Sequence, residues 1–85
     1  MRTYCILIET QVGATANVLD SITAFEEVRS VDHVTGPSLF DIVAKVETDD
    51  VEALGSLVQD GIDSLIGVRR TNVCVVAPEY LAWPT

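Results

Sequence analysis

Apolar residues in this chain of 85 residues follow the period of a strand, and two separate segments follow the period of a helix instead. Apolar side chains at every second residue are typical of a strand, whereas recurrence every three to four residues is typical of a helix. The order of the segments therefore predicts β-α-β-β-α-β. A chain of this length has room for a single hydrophobic core.

Four segments have strand character. Tyr4–Thr10 is largely apolar on both alternating faces, which predicts a central strand. Val28–Val34 has polar and apolar residues on both alternating faces, a pattern that predicts an edge strand. This segment ends before the turn dipeptide Gly36-Pro37. Phe40–Val46 has one clearly apolar face, and Val68–Ala77 ends in an almost continuous apolar run. These two segments predict the third and fourth strands.

Two segments have helical spacing. In the first, which begins at Thr15, apolar residues recur between Val18 and Phe25, and the Thr15 side chain is predicted to accept from a free amide of the first turn. The second segment, Val51–Leu65, follows a pair of aspartates whose charge suits the positive end of a helix. Gly67 is predicted to terminate this helix.

The composition excludes several classes of function. The chain has 5 Lys and Arg against 13 Asp and Glu, for a formal net charge of −8 at pH 7. This charge repels phosphate backbones, so we expect no direct binding to nucleic acid. The apolar stretches are too short to cross a bilayer, and the N-terminus lacks the pattern of a secretory signal. We therefore predict a cytoplasmic protein that does not enter a membrane.

Residues that commonly carry catalysis or bind metals are few and scattered. Cys5 and Cys74 lie in opposite end segments without zinc or redox spacing, which favours two buried thiols packed as small apolar side chains. His33 is the single histidine, and a solvated position on an edge strand is the favoured interpretation. Without a second histidine, a paired nucleophile or clustered carboxylates, we expect no catalytic site, no metal, no cofactor and no enzyme.

One face of the predicted sheet has no helices over it, because both helices of this fold order cover the same face. Cys5, Leu7 and Val43, with one alternating set of the last strand, make that face too apolar to remain exposed. We predict a homodimer through this uncovered face. The domain is expected to span residues 1–77, followed by a C-terminal tail at residues 78–85.

Several short motifs resemble the Lrp/AsnC effector-binding domain, also called the RAM domain. They are Val34-Thr35-Gly36, Phe40–Val46, Leu54-Gly55 and Ile66–Thr71, and the likeness extends over residues 4–77. The resemblance implies an α+β, ferredoxin-like fold: a four-stranded antiparallel sheet with two helices on one face, assembled as a dimeric α+β barrel. The first strand begins near residue 4, so we expect the stand-alone class, which has no DNA-binding domain of its own.

The resemblance also implies a function in transcription regulation. Stand-alone domains of this kind form rings of dimers, an octamer or a similar assembly, and an amino acid binds between neighbouring dimers. A full-length Lrp/AsnC regulator is a further expected partner.

The loop between the second and third strands contributes to the effector site in this family. Candidate ligand-binding residues of this loop and of the start of the last strand are Thr35, Gly36, Ser38, Leu39, Phe40, Asp41, Thr71 and Asn72. Asp41 would bind the ammonium group of an amino acid, and Gly36 would let the ligand approach the backbone. Phe40 would form an apolar wall, and Thr71 and Asn72 would hold the carboxylate from a neighbouring subunit.

Each candidate also has a purely structural interpretation. Gly36 suits a plain turn, and Phe40 suits the core at its helix-facing strand position. Asp41 suits an acid that accepts loop amides or pairs with an arginine. The three candidate arginines are Arg29, Arg69 and Arg70.

The sequence departs from the family pattern in two places. Pro37-Ser38-Leu39 make the loop two residues longer than usual, and Val73 stands where many members have a hydroxyl residue. Three effects of the longer loop stay open: it would reshape the ligand site, fill it, or move Phe40 and Asp41 relative to the partner dimer. Two other functions stay open: a dimeric α+β barrel enzyme of the cofactor-free monooxygenase type, and a structural assembly module whose loop occupies the old site.

Overall fold

The fold follows the predicted order of strands and helices. The computed structural model describes residues 1–36 and 38–76. In chain order, its elements are β1 (Arg2–Thr10), α1 (Thr15–Ile22), β2 (Val28–His33), β3 (Ile42–Thr48), α2 (Val51–Ser56), a π-helical continuation of α2 (Leu57–Ile62) and β4 (Val68–Val75). The predicted tail at residues 78–85 and the predicted strand end at Ala77 lie outside the described residues, so the domain boundary stays a prediction.

The four strands form one antiparallel sheet in the order β2-β3-β1-β4. The predicted central position of the first strand and the predicted edge position of the second are confirmed. β4 forms the other edge although it is rich in apolar residues, and Val73 and Val75 keep 43% and 58% of their surface exposed. An apolar run therefore lies at the rim of the sheet.

The core lies between the helices and one face of β1 and β3. Burial alternates along β1, and the buried positions of β1 and β3 face the helices because side chains alternate along a strand. The buried core consists of Tyr4, Ile6, Ile8, Val18, Ile22, Ile42, Ala44, Val46, Leu54, Leu57, Val58 and Ile62. None of the helices in the described residues has the length and apolarity needed to cross a bilayer.

Two local predictions are corrected. Phe40 was expected at the start of the third strand, but β3 begins at Ile42, and Phe40 is a half-buried loop residue outside the core. The Thr15 side chain was expected to cap the first helix, but it lies 2.7 Å from Thr10 Oγ1 instead. The favourable charge before the second helix is confirmed, because Asp50 Oδ1 accepts from the amides of Glu52 and Ala53 at 2.9 and 3.2 Å.

Gly67 does not terminate the second helix, contrary to the prediction. The π-helical segment already ends at Ile62, where Asp63 N donates to Val58 O at 2.8 Å. Gly67 is buried just before β4, with a φ of +100°, and its carbonyl accepts from Gln11 N at 2.7 Å. Its role is therefore to bring the start of β4 close to the start of α1.

Gly61 leaves room for the ring of Phe25 against the π-helical segment. A Cβ added at Gly61 would lie 2.9 Å from Phe25 Cε1 and 3.1 Å from Cζ, whereas a Cβ at Gly55 would meet nothing within 4 Å. A substitution at Gly61 therefore tests packing against Phe25, whereas the same substitution at Gly55 tests helix propensity alone.

We expect Gly61→Ala to lower the free energy of unfolding by about 1 kcal/mol, because the ring must shift in a packed region. Gly55→Ala is the matched control and is expected to raise the same free energy by about 0.5–1 kcal/mol, because alanine favours the helix. Urea denaturation of the three proteins at equal concentration measures both changes. Stabilisation by both alanines would refute the packing role of Gly61.

Candidate effector site at one end of the sheet

The loop that joins β2 to β3 projects from the sheet. Its base is closed by a hydrogen bond from Val34 N to Asp41 O at 2.7 Å, and Ser38 N donates to Gly36 O at 2.8 Å. Gly36 has a φ of +112°, a backbone conformation that favours glycine, so its predicted turn role is supported. Within this loop, Thr35, Gly36, Ser38 and Leu39 are exposed.

Leu39 does not fill a site within its own chain. Its side chain is 71% exposed, and the preceding Ser38 Oγ accepts from Phe40 N at 3.2 Å to form a tight local turn. The extra residues therefore extend the loop outward, leaving its backbone and the half-buried Phe40 accessible to a ligand or to another chain.

Asp41 ties this loop to the end of β1. Its Oδ2 accepts from Thr10 N at 2.8 Å and from Thr10 Oγ1 at 3.0 Å, and its own amide donates to Ile8 O at 2.9 Å. The hydroxyl of Thr10 also lies 2.7 Å from Thr15 Oγ1 at the start of α1. Both of these side-chain hydrogen bonds of Asp41 end on Oδ2.

The network at Asp41 supports the interpretation of an acid that accepts hydrogen bonds from its own chain. The arginine alternative is not realised at Arg69 and Arg70, whose Nε atoms lie 3.8 and 3.5 Å from the carboxylate of Glu9. Sequence reasoning missed Thr10. Its inward position on β1 was a usable signal, because a buried hydroxyl requires a hydrogen-bond partner.

Thr71 and Asn72 point to opposite faces of β4. Thr71 is the partner of the core residue Ile8, and its hydroxyl donates to Asp63 Oδ1 at 2.7 Å. Asn72 is the partner of Leu7, so it lies on the uncovered face and is exposed. Both are separated from the β2–β3 loop by β1, so the structure does not bring them together with Asp41 within one chain.

Three loops meet at the same end of the sheet, which we call the loop end: Gln11–Ala14, Val34–Asp41 and Asp63–Gly67. The antiparallel registers place the end of β1 beside the starts of β3 and β4. Each loop carries a large exposed apolar side chain: Val12 (104% exposed), Leu39 (71%) and Ile66 (96%). The loop end therefore combines the candidate ligand residues of the β2–β3 loop with apolar side chains that are exposed in the part of the chain that the structure describes.

The uncovered face of the sheet has an apolar centre. Cys5, Leu7 and Val43 are half-buried there, and the registers pair Leu7 with Val43 across the two central strands. Cys74 is exposed beside Cys5 on β4, so the prediction of two buried thiols is wrong for Cys74. A strand at the edge of a sheet leaves such a side chain open to solvent.

His33 is exposed at the end of β2, as predicted. In the described ranges, no three His, Cys, Asp or Glu residues are grouped so that they could hold a metal ion.

Comparison with known proteins identifies the family. The model of the Lrp/AsnC ligand-binding domain matches residues 3–82 of the 85. The chain belongs to the Lrp/AsnC ligand-binding domain family. This confirms the resemblance and the ferredoxin-like fold, and it places the chain in a family of regulatory domains. No curated protein matches the sequence significantly.

Several solved structures have the same fold. TTHA0845 from Thermus thermophilus is 35% identical, with a TM-score of 0.83, and each chain covers 100% of the other. AsnC of E. coli is 18% identical (TM-score 0.81), with 99% of this chain covering 56% of AsnC. The transcriptional regulator NMB0573 from Neisseria meningitidis, solved as a complex with L-Met, is 22% identical (TM-score 0.80), and 98% of this chain covers 56% of it. The chain thus spans just over half of each regulator, and at these identities the likeness to both shows the fold alone.

Proposed function

We propose that this chain is an effector-sensing module that binds an amino acid at its loop end and regulates through self-association. The observation that carries the proposal is the β2–β3 loop of a Lrp/AsnC ligand-binding domain, in which Gly36 is exposed and the half-buried Asp41 receives both bonds from Thr10 on Oδ2. The net charge of −8 opposes direct DNA binding by these residues. Any DNA contact would come from a full-length Lrp/AsnC regulator that assembles with the chain.

The chemistry of the loop end suits an amino acid. The carboxylate of Asp41 is held in place by Thr10, so its second oxygen is oriented to accept a charge-assisted bond from an ammonium group. Exposed backbone at Gly36 and Ser38 offers polar groups, and Phe40 and Leu39 offer an apolar surface for a side chain. The L-Met complex of NMB0573 supports this ligand class.

The proposed site requires a neighbouring copy. Thr35, Gly36, Ser38, Leu39, Phe40 and Asp41 come from one chain, whereas the ligand carboxylate is proposed to contact Thr71 and Asn72 of another. The exposed Val12, Leu39 and Ile66 would be covered by this contact, since apolar side chains grouped at one surface favour association. Dimers formed through the uncovered sheet face would then join at their loop ends into a ring, an octamer or a similar assembly.

An amino acid that binds only the folded assembly must raise its thermal midpoint by mass action. We expect one or a few of the twenty amino acids, each added at millimolar concentration, to raise the midpoint of the purified chain and to shift its mass in light scattering. An assembly of constant mass and midpoint with every amino acid would contradict the sensor proposal and favour the structural module.

Asp41→Asn tests the site itself. Asparagine retains an oxygen that can accept from Thr10, so the midpoint without ligand is expected to change little. The charge that binds ammonium is lost, however, and we expect the ligand-induced shift to fall to less than about a tenth of the wild-type value at the same concentration. Asp20→Asn removes the same charge from an exposed position on α1 and is expected to respond as wild type. An equal response of both variants would exclude Asp41 from the site.

A further inference from the structure

The two cysteines lie at opposite ends of the sequence but directly opposite each other in the sheet. The register of β1 and β4 makes Cys5 and Cys74 partners, and both are free thiols. Partner residues of an antiparallel pair point to the same face, here the uncovered one. In a single chain Cys5 is half-buried and Cys74 is exposed, so a reagent can reach the pair whenever no second copy covers this face.

The backbone spacing at this pair permits a disulfide, although a strained one. Val76 N donates to Thr3 O at 2.9 Å, which makes Thr3 and Val76 a hydrogen-bonded pair. Pairs of this kind recur at every second position, so Cys5 and Cys74 form one as well, with an expected Cα separation of about 5.5 Å. Disulfides most often join Cα atoms about 5.5–6 Å apart, so the Cα separation fits. The Cβ atoms of a hydrogen-bonded pair lie at the wide end of about 4.5–5.5 Å, beyond the roughly 3.5–4.5 Å of a relaxed disulfide, so the bond would be strained and readily reduced.

The geometry points to a reversible modification site: Cys5 and Cys74 form an intramolecular disulfide by exchange with a low-molecular-weight disulfide such as oxidised glutathione. The exposed Cys74 thiolate attacks one sulfur of the reagent, forms a mixed disulfide and releases the first glutathione thiolate. The Cys5 thiolate then attacks Cys74 Sγ and releases the second. Two protein thiols are oxidised, one disulfide is reduced, and the two protons end on the two glutathione thiols.

Oxidation would link the edge strand β4 covalently to the central strand β1. β4 is paired on one side only, so a covalent link to β1 supplements its hydrogen bonds. The bond would close a loop that holds most of the chain and would restrict the unfolded state accordingly. An exposed disulfide of this kind is open to thiolate attack and therefore returns to the dithiol under reducing conditions. This inference rests on the strand register and does not depend on ligand binding.

The test is to equilibrate the purified full chain with oxidised glutathione and to measure intact mass, a non-reducing gel and the thermal midpoint. We expect a monomer band, a mass lower by two hydrogens, a peptide in which Cys5 is linked to Cys74, and a midpoint raised by about 5 °C, because strain in the bond offsets part of the gain from restricting the unfolded state. Excess reduced glutathione should restore the original mass and midpoint and remove the linked peptide, and the band should stay that of a monomer. Cys5→Ser is the matched control, in which Cys74 should stop at one glutathione adduct with no comparable gain in midpoint.

The same reaction in Leu7→Glu, which places a carboxylate on this face, separates the thiol pair from any dimer that covers it. A Cys5–Cys74 disulfide within one chain of this variant supports the site. The wild type is allowed to remain unreacted, because a dimer would cover its two thiols. Only glutathione adducts or cross-links between chains, in both proteins, would overturn it. Failure of both proteins to react would overturn it as well.

Discussion

Replacing Gly67 with alanine is expected to lower the free energy of unfolding by about 3 kcal/mol. Gly67 has a φ of +100°, where a residue with a Cβ is strained. The added Cβ would also lie 2.6 Å from Ala14 Cβ and 3.3 Å from Val18 Cγ2, at the start of α1. Neither contact is the end of a flexible side chain, so backbone must move. Urea denaturation at a fixed protein concentration measures the loss.

Gly13→Ala is the control that isolates the overlap from the backbone strain. Gly13 has a φ of +85°, and a Cβ there would meet nothing within 4 Å. Its expected loss is about 1–2 kcal/mol, from the backbone alone. If the two variants lost equal free energy, the close approach of Gly67 to α1 would have no energetic importance.

Replacing Leu7 with glutamate is expected to abolish dimer formation through the uncovered face. Leu7 lies on the central strand β1, with Val43 and Asn72 as its partners on the two adjacent strands. A second copy seated on this face would bury the new carboxylate without a partner, which costs several kcal/mol and weakens association by at least about a hundredfold. Light scattering across a dilution series should show a monomer.

Val51→Glu is the matched control for this experiment. Val51 is 70% exposed at the first residue of α2, away from the uncovered face, and the substitution makes the same change of an apolar side chain to an acidic one. We expect the mass of the wild-type assembly. A dimer that persists in Leu7→Glu would show that the sheet face is not the interface and would direct attention to the loop end.

Local sequence patterns predicted most of the fold. The alternation along Tyr4–Thr10 identified the helix-facing side of β1, and its apolar content on both faces identified a central strand. Asp49 and Asp50 were placed before a helix because their negative charge suits its positive end, and Asp50 is the residue that caps α2. These predictions succeeded because each depends on residues within a few positions of one another.

Predictions that required long-range contacts were less successful. Asp41 was considered as a partner of arginine, but its partner is Thr10, which reaches it only through the pairing of β1 with β3. Thr71 and Asn72 were treated as one polar pair, but strand alternation directs them to opposite faces. Gly67 was assigned to a helix end, but its conformation serves the contact with α1.

The sequence by itself determined the order of the elements, the core-facing side of the central strands and the family, because periodicity and short motifs are properties of neighbouring residues. Only the tertiary structure decided which distant residues meet: Asp41 with Thr10, Gly67 with Ala14, and Cys5 with Cys74. The physical reason is that strand register and sheet order are set by the packing of the whole core. A shift of one residue in register would move Cys74 to the opposite face of the sheet and separate the two thiols.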